Sequence, residues 1–312
     1  MNLLFCGTPQ FAVPTLERLI QGGFNIELVM TNPDEPSGRG YELKSPPVKL
    51  LAERAGLRVF QPSRLKDFAT QEFLSQFHPD AIVVVAYGHI IPPWMIDLPR
   101  LGCINLHASL LPKYRGAAPI AWALIRGERV TGVTTMKIDA GLDTGDILLQ
   151  KELAINEDDT QESLSARLSA AGADLMVETL RGLALGTITP RPQDHSQATL
   201  APLLRKEDGA INWCLTAPEI ACRVRGLNPW PGAFTRYRGK LLHVWSAAPV
   251  AFPLSDRQSP GMLIVERARL LVACGQRTVL ELKEVQLEGR KRLPARDFLN
   301  GVHLTSGEVL PS

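Results

Sequence analysis

The 312-residue sequence predicts an α/β domain on a mostly parallel sheet, followed by a smaller, strand-rich barrel. Three observations carry this. The first two-thirds alternate apolar runs with helix-period segments, as βαβ units do. One run, "AIVVVAYG" (81–88), is apolar throughout, as a strand covered on both faces must be. After about residue 186 the texture changes to short strands separated by turns.

The elements follow in order. "NLLFCG" (2–7) and "NIELVMTN" (25–32) read as strands around "PTLERLIQGG", a helix that ends on glycines. "PPVKLLAERAG" is a helix with prolines near its start and Gly56 after its end. "LRVF" is a short strand and "DFATQEFLSQF" (67–77) an amphipathic helix. After strand 80–88 come "CINLH", "VTGVTTMKID" (130–139) and "DILLQKELAI" (146–155), then a long helix over about 160–184. "GTITPRPQDHSQATLAPLLRKEDG" lacks periodicity and reads as a linker. Beyond it stand one helix, "APEIACRVRGL", and the strands "AFTRYRG", "KLLHVWSA", "MLIVE", "RLLVACG" and "TVLELKEVQ". The boundaries expected are 1–189, a linker 190–207, and 208–312.

Composition narrows the function classes. The chain is 45% hydrophobic and 21% charged, an ordinary globular balance. The opening "MNLLFCGTPQ" has no basic n-region, so a signal peptide is not expected, and no apolar run could span a bilayer. Five cysteines without a CxxC pair argue against a disulfide framework or zinc site and fit a reducing cytoplasm. Charge is uneven: residues 1–204 hold 18 Lys/Arg against 22 Asp/Glu, and residues 205–312 hold 16 against 10. A basic second module suits a polyanion partner.

Ligands of parallel sheets bind beyond the carboxyl ends of the strands. Here those ends carry Cys6–Pro9, Thr31–Pro33, Tyr87–His89 and Asn105–His107. Strand residues alternate in direction, so Asn105 and His107 project together. His107 can exchange a proton near neutral pH. The Asn105 amide can donate to a carbonyl oxygen that becomes negative during acyl transfer. The loop "DAGLDTGD" supplies Asp139, Asp143 and Asp146 as candidate partners for the imidazole, or is simply a turn. No HExxH, calcium-loop, Walker A or G-x-S-x-G pattern occurs, so no metal is expected. The incomplete glycine fingerprint disfavours a dinucleotide oxidoreductase, and the Asn/His/Asp set disfavours a purely binding protein. The residues alone thus reach an α/β enzyme suited to acyl chemistry, without naming the donor.

"CINLHASLLPKYRGAAPI" followed by "GLDTGD" resembles the folate-dependent formyltransferases. With "FCGTPQFAVPTL" at the start and "NPWPGAFT" (228–235) in the second module, the resemblance covers essentially the whole chain. It implies a Rossmann-like first domain and an OB-like C-terminal barrel. It implies transfer of a formyl group from 10-formyltetrahydrofolate, a co-substrate, without a metal. The "GTP-x-FA" start, the "PDEPSGRG" loop and the basic second module point to the branch whose acceptor is the α-amine of initiator methionyl-tRNA. By this resemblance Asn105 and His107 handle the formyl oxygen and protons, and Asp143 orients His107. Ser109, Leu110, Leu111 and Pro112 wall the folate, with Tyr87, Gly88, His89, Ile90 and Ile91 bordering its pterin. Arg39 and Lys44, on loop 32–47, reach the tRNA acceptor end. Lys206, Arg223, Arg236 and Arg238 are candidates for its phosphates. A cytoplasmic monomer acting in translation initiation is expected. A sugar-amine formyltransferase or formyl-folate hydrolase would share the same three site residues. Gln10 and Asn212 depart from the family pattern at places away from the proposed chemistry.

Overall fold

The computed structural model describes residues 1–37, 42–302, 304 and 306–311. Its contacts divide the chain into two units. One comprises Met1–Pro119, Val130–Ala154 and Ser165–Ala201; the other comprises Ile120–Arg129, Ile155–Leu164 and Pro202–Ser312.

The first unit is built on seven strands: β1 (Asn2–Gly7), β2 (Asn25–Met30), β5 (Val59–Phe60), β6 (Ala81–Val85), β7 (Cys103–His107), β8 (Val130–Lys137) and β9 (Ile147–Ala154). Their order is β5-β2-β1-β6-β7-β8-β9. The first five run parallel, and β8 and β9 join antiparallel. β6 sits between β1 and β7 with all five residues buried, which explains its unbroken apolar run. The expected loop 32–47 contains a small ladder, β3 (Glu35–Ser37) with β4 (Glu42–Lys44). Three residues a strand are too few for an alternation to show in sequence.

Helices α1 (Val13–Gln21), α2 (Pro47–Arg54) and α3 (Phe68–Leu74) match the helical runs, and a single turn, α4 (Pro93–Ile96), follows β6. Leu4, Cys6, Leu28, Met30, Ile82, Val84 and Cys103 form one apolar layer with Tyr87, Ile91 and Met95. On β7 the residues of opposite parity face elsewhere. Leu106 lies so close to Gly172 that a Cβ there would stand 2.6 Å from its side chain. Gly172 belongs to α6 (Gln161–Leu185), which follows α5 (Pro119–Ile125) and β9. Thr179 of α6 also bonds Thr135 of β8 at 2.7 Å. That face of β7 is therefore filled by a helix, and Cys103, Asn105 and His107 occupy the other.

The second unit carries α7 (Ala217–Gly226), capped by a reciprocal Thr216–Glu219 box. Its antiparallel sheet follows: β10 (Ala233–Tyr237), β11 (Lys240–Val250), β12 (Leu263–Glu266), β13 (Arg269–Ala273), β14 (Val279–Leu287) and β15 (Leu293–Pro294). The order is β10-β11-β14-β13-β12, with β15 on β14. The antiparallel sheet is the one that the spacing predicts. No ladder joins β10 to β12 among the described residues. A short helix, α8 (Ala295–Gly301), was not legible because it buries only Ala295 and Phe298.

Candidate active site

Asn105 and His107 lie on one face of β7, opposite Met136 and Thr134 of β8. The His107 side chain is buried, and its Nε2 stands 2.9 Å from the carbonyl oxygen of Tyr114. A carbonyl only accepts, so Nε2 carries a hydrogen. In the neutral ring Nδ1 then holds the lone pair, and Nδ1 is the nitrogen that faces Asp143, 3.6 Å from Oδ2. Asn105 is half-buried, and its amide makes no hydrogen bond among the described residues. The site thus presents an uncommitted amide beside one exchangeable ring nitrogen.

Of the three loop carboxylates, only Asp143 reaches the imidazole. Asp139 is exposed and shapes the loop by accepting from Gly141 N–H and Thr144 Oγ1. Asp143 adopts φ 51, in the left-handed region, and Oδ2 accepts Gly116 N–H at 2.8 Å. Gly145 has no room for a side chain, since a Cβ would meet Lys137 O at 1.9 Å. This loop is a β8–β9 hairpin connection, so the turn reading and the functional reading of "DAGLDTGD" describe the same residues.

Two residues in this network were missed by the sequence reading. Gln193, in the segment that reads as linker, is buried and donates to Asp143 O and Gly145 O. Arg115 is buried and donates to the Gln193 side-chain oxygen and to His195 Nδ1. Arg191 exchanges backbone hydrogen bonds with Ile147, and Arg115 with Thr199 and Ala201. Residues 191–201 are therefore strapped to the first unit.

The "SLLP" turn is pinned from β8 and β9. Thr134 Oγ1 donates to Ser109 O and accepts Leu111 N–H, while Gln150 donates to Leu111 O. Ser109 and Leu111 are buried inside, Leu111 against Met136 and Ile147. Leu110 and Pro112 are partly exposed. At the strand ends, Thr8 Oγ1 donates to Tyr87 O and accepts Asn32 N–H, tying β1, β2 and β6 together. The Tyr87 ring contacts His89. Burial, aided by the Cys6 thiol, pushes the Tyr87 phenol above its ordinary range, so it stays neutral. Ile91 is buried, Gly88 takes φ 84, and Ile90 is 84% exposed.

Arg39 lies outside the described residues. Lys44 is exposed. In the second unit Lys206 and Arg236 are exposed. Arg223 donates to Asp208 O, and Arg238 pairs with Glu308 and lies over the Tyr237 ring. Among the described residues no group of three or more His, Cys, Asp or Glu could hold a metal ion, and no helix is long and apolar enough to cross a membrane.

The family model described as formyl transferase matches residues 1–180, and that described as formyl transferase, C-terminal domain, matches residues 203–303. The chain is 56% identical over 313 residues to the methionyl-tRNA formyltransferase of Koribacter versatilis, covering 99% of this chain and 98% of that one. It is 46% identical over 308 residues to the methionyl-tRNA formyltransferase of Geobacter metallireducens, covering 98% and 97%. Its fold is similar to that of an N-formyltransferase from Helicobacter canadensis, solved with folinic acid and dTDP-3-aminofucose. That likeness has a TM-score of 0.67 at 18% identity and covers 90% of this chain and 98% of that one.

Proposed function

The chain belongs to the methionyl-tRNA formyltransferase family, and from that premise we propose that it moves a formyl group from 10-formyltetrahydrofolate to the α-amine of initiator methionyl-tRNA, a step of translation initiation in the cytoplasm. The observation that carries the chemistry is the approach of the Asp143 carboxylate to His107 Nδ1 beside the uncommitted Asn105 amide.

An α-amine has an ordinary pKa of about 7.7–8.0, so a useful fraction is neutral at physiological pH. Activating the nucleophile is a small demand. Holding the amine against the formyl carbon and stabilising the oxyanion are the larger ones. In the proposed step the amine nitrogen bonds to the formyl carbon, and the carbonyl electron pair moves onto oxygen. Asn105 donates to that oxygen. His107 Nδ1 takes the proton that the amine loses, and Asp143 stabilises the resulting imidazolium. The bond to N10 of the folate then breaks, its electron pair stays on nitrogen, and a proton from the site neutralises it.

For the donor, Tyr87 to Ile91 with Leu110 and Pro112 form the apolar border, and the buried Ser109 and Leu111 support it from behind. For the acceptor, Arg39, Lys44, Lys206 and Arg236 supply positive charge, with Arg223 and Arg238 engaged inside the second unit. The division of labour is a catalytic domain over 1–189, a connection over 190–207 and an OB-like tRNA-binding domain over 208–312, acting as a monomer. The test is direct. The protein is incubated with 10-formyltetrahydrofolate and either charged initiator or elongator methionyl-tRNA. Formyl transfer to the initiator species is expected. Consumption of the folate without formylated methionyl-tRNA overturns the reading.

A further inference from the structure

Gln193 lies between the two stretches that the family models match, in a segment whose composition marks it as a connection. Yet it is only 6% exposed, and its amide is fully used. Nε2 donates to Asp143 O at 2.9 Å and to Gly145 O at 2.7 Å. Oε1 accepts from Arg115 Nε at 3.1 Å and Nη2 at 2.6 Å.

This arrangement fixes which way the amide points. Guanidinium nitrogens only donate, so the oxygen of Gln193 must face Arg115. The NH2 group then faces two carbonyls, which only accept. A flipped amide would oppose donor to donor and acceptor to acceptor at all four contacts. Arg115 is 7% exposed and forms no ion pair with a carboxylate among the described residues. Its buried charge is met by the Gln193 oxygen and His195 Nδ1. The guanidinium thus acts as the fixed post for the amide.

The far side of the amide holds the loop that presents Asp143. A residue with a Cβ at φ 51 depends on its surroundings to stay there. Two grips hold Asp143: Gly116 N–H on its carboxylate and Gln193 on its backbone. We propose that Gln193, oriented by Arg115, is a positioning residue for formyl transfer, keeping the Asp143 carboxylate against His107 Nδ1. This rests on the role given to Asp143 above. It extends the site into a segment with no periodic signal.

Two variants separate positioning from packing. Gln193→Glu keeps the length and the acceptor for Arg115 but removes both donors to the loop. Gln193→Met keeps the volume and removes every polar contact. Each is expected to lower kcat by ~10²-fold, with KM for donor and acceptor little changed, because a small misplacement of a reacting group costs about that much. In an Asp143→Asn background, adding Gln193→Glu is expected to cost little more, as for residues that act as a unit. A second readout does not depend on the reaction. The His107 ring resonances, followed by NMR at one fixed pH, should move in Gln193→Met toward their positions in Asp143→Asn. Unchanged His107 ring resonances in both Gln193 variants overturn the proposal, whatever reaction the enzyme performs. Losses that multiply in the double variant overturn it as well. A wild-type protein inactive in formyl transfer, with the His107 resonances of the variants moved as expected, overturns the functional reading and leaves the grip of Gln193 on the Asp143 loop standing.

Discussion

His107 and Asp143 meet although their elements approach from opposite ends of one strand. The loop bearing Asp143 leaves β8 beside the start of β7, where Ile138 N–H bonds Cys103 O at 2.8 Å, and His107 closes the far end of β7. The loop runs back so that the carboxylate stands 3.6 Å from Nδ1. With Nε2–H committed to Tyr114 O, proton exchange at this ring is confined to the nitrogen beside Asp143.

Removing either strand residue should therefore strike turnover rather than folding. Asn105→Ala deletes the oxyanion donor and His107→Ala the proton acceptor. Each is expected to lower formyl-transfer turnover by at least ~10²-fold, the usual worth of one such group. Circular dichroism should show an intact fold. Near-normal kcat in both folded variants would remove these residues from the chemistry.

Gly116 couples stability to the same site. Its φ is 116, and a Cβ there would stand 2.8 Å from the backbone oxygen of Ala201, which cannot swing away. Its N–H is also the donor to Asp143 Oδ2. Gly116→Ala should destabilise the fold by roughly 1–3 kcal/mol and lower turnover together. Gly186 is the control: φ is 68, with nothing within 4 Å of the added carbon. Gly186→Ala should cost about 1–2 kcal/mol in thermal melting and leave turnover unchanged. Equal activity loss in the two variants would break the link from Gly116 to the site.

The period of a strand was enough to pair Asn105 with His107, because residues two apart share a face whatever surrounds them. It could not choose among Asp139, Asp143 and Asp146, since that choice depends on how an irregular loop returns along β7. Gln193 and Arg115 were illegible for a related reason. Their contacts join positions 78 apart, and Gln193 to Asp143 spans 50. A glutamine in "PRPQDH" carries no periodicity that marks it as buried. Arg115 reads as surface charge beside Lys113 until its neighbours are seen. Ser109 and Leu111 stand in a turn whose sequence does not show their burial: Ser109 Oγ donates to Lys113 O, and Leu111 packs against Met136 and Ile147. The ladder β3–β4 and the helix α4 escaped because they are too short to establish a period.

His243 gives the second unit a pH dependence whose direction is fixed. Burial holds its pKa below the ordinary value, the ring stacks on Trp245 at 16°, and Nδ1 is buried with no hydrogen-bond partner among the described residues. In the unfolded chain the imidazole takes a proton near pH 6.5. As pH falls through that value the unfolded state gains the proton before the folded state does. Stability contributed by the neutral ring is then lost, and the loss levels off once the folded ring also charges. Thermal melting between about pH 7.5 and about pH 5.5 should show this decline in the wild type and less of it in His243→Phe. Identical slopes would place the titration elsewhere.

The basic surplus of the second unit is expected not to translate directly into phosphate contacts, because several of its cations are already paired. Arg238 places Nε and Nη2 on the Glu308 carboxylate, and Arg269 and Lys283 share Glu281. A cation paired in this way releases few counterions on meeting a phosphate, whereas an unpaired one releases about one. Among the described residues Lys206 is exposed and makes no ion pair, and the Arg236 side chain gives one hydrogen bond, to Gly239 O. Lys206→Ala and Arg236→Ala should each weaken tRNA binding and reduce the slope of log K against log salt by ~1, with the melting temperature unchanged. Arg238→Ala should leave that slope nearly intact and change the melting temperature little, as for an exposed pair. If Arg238→Ala flattens the salt dependence as much as Lys206→Ala does, the Glu308 pair opens on binding and the phosphate path runs through Arg238.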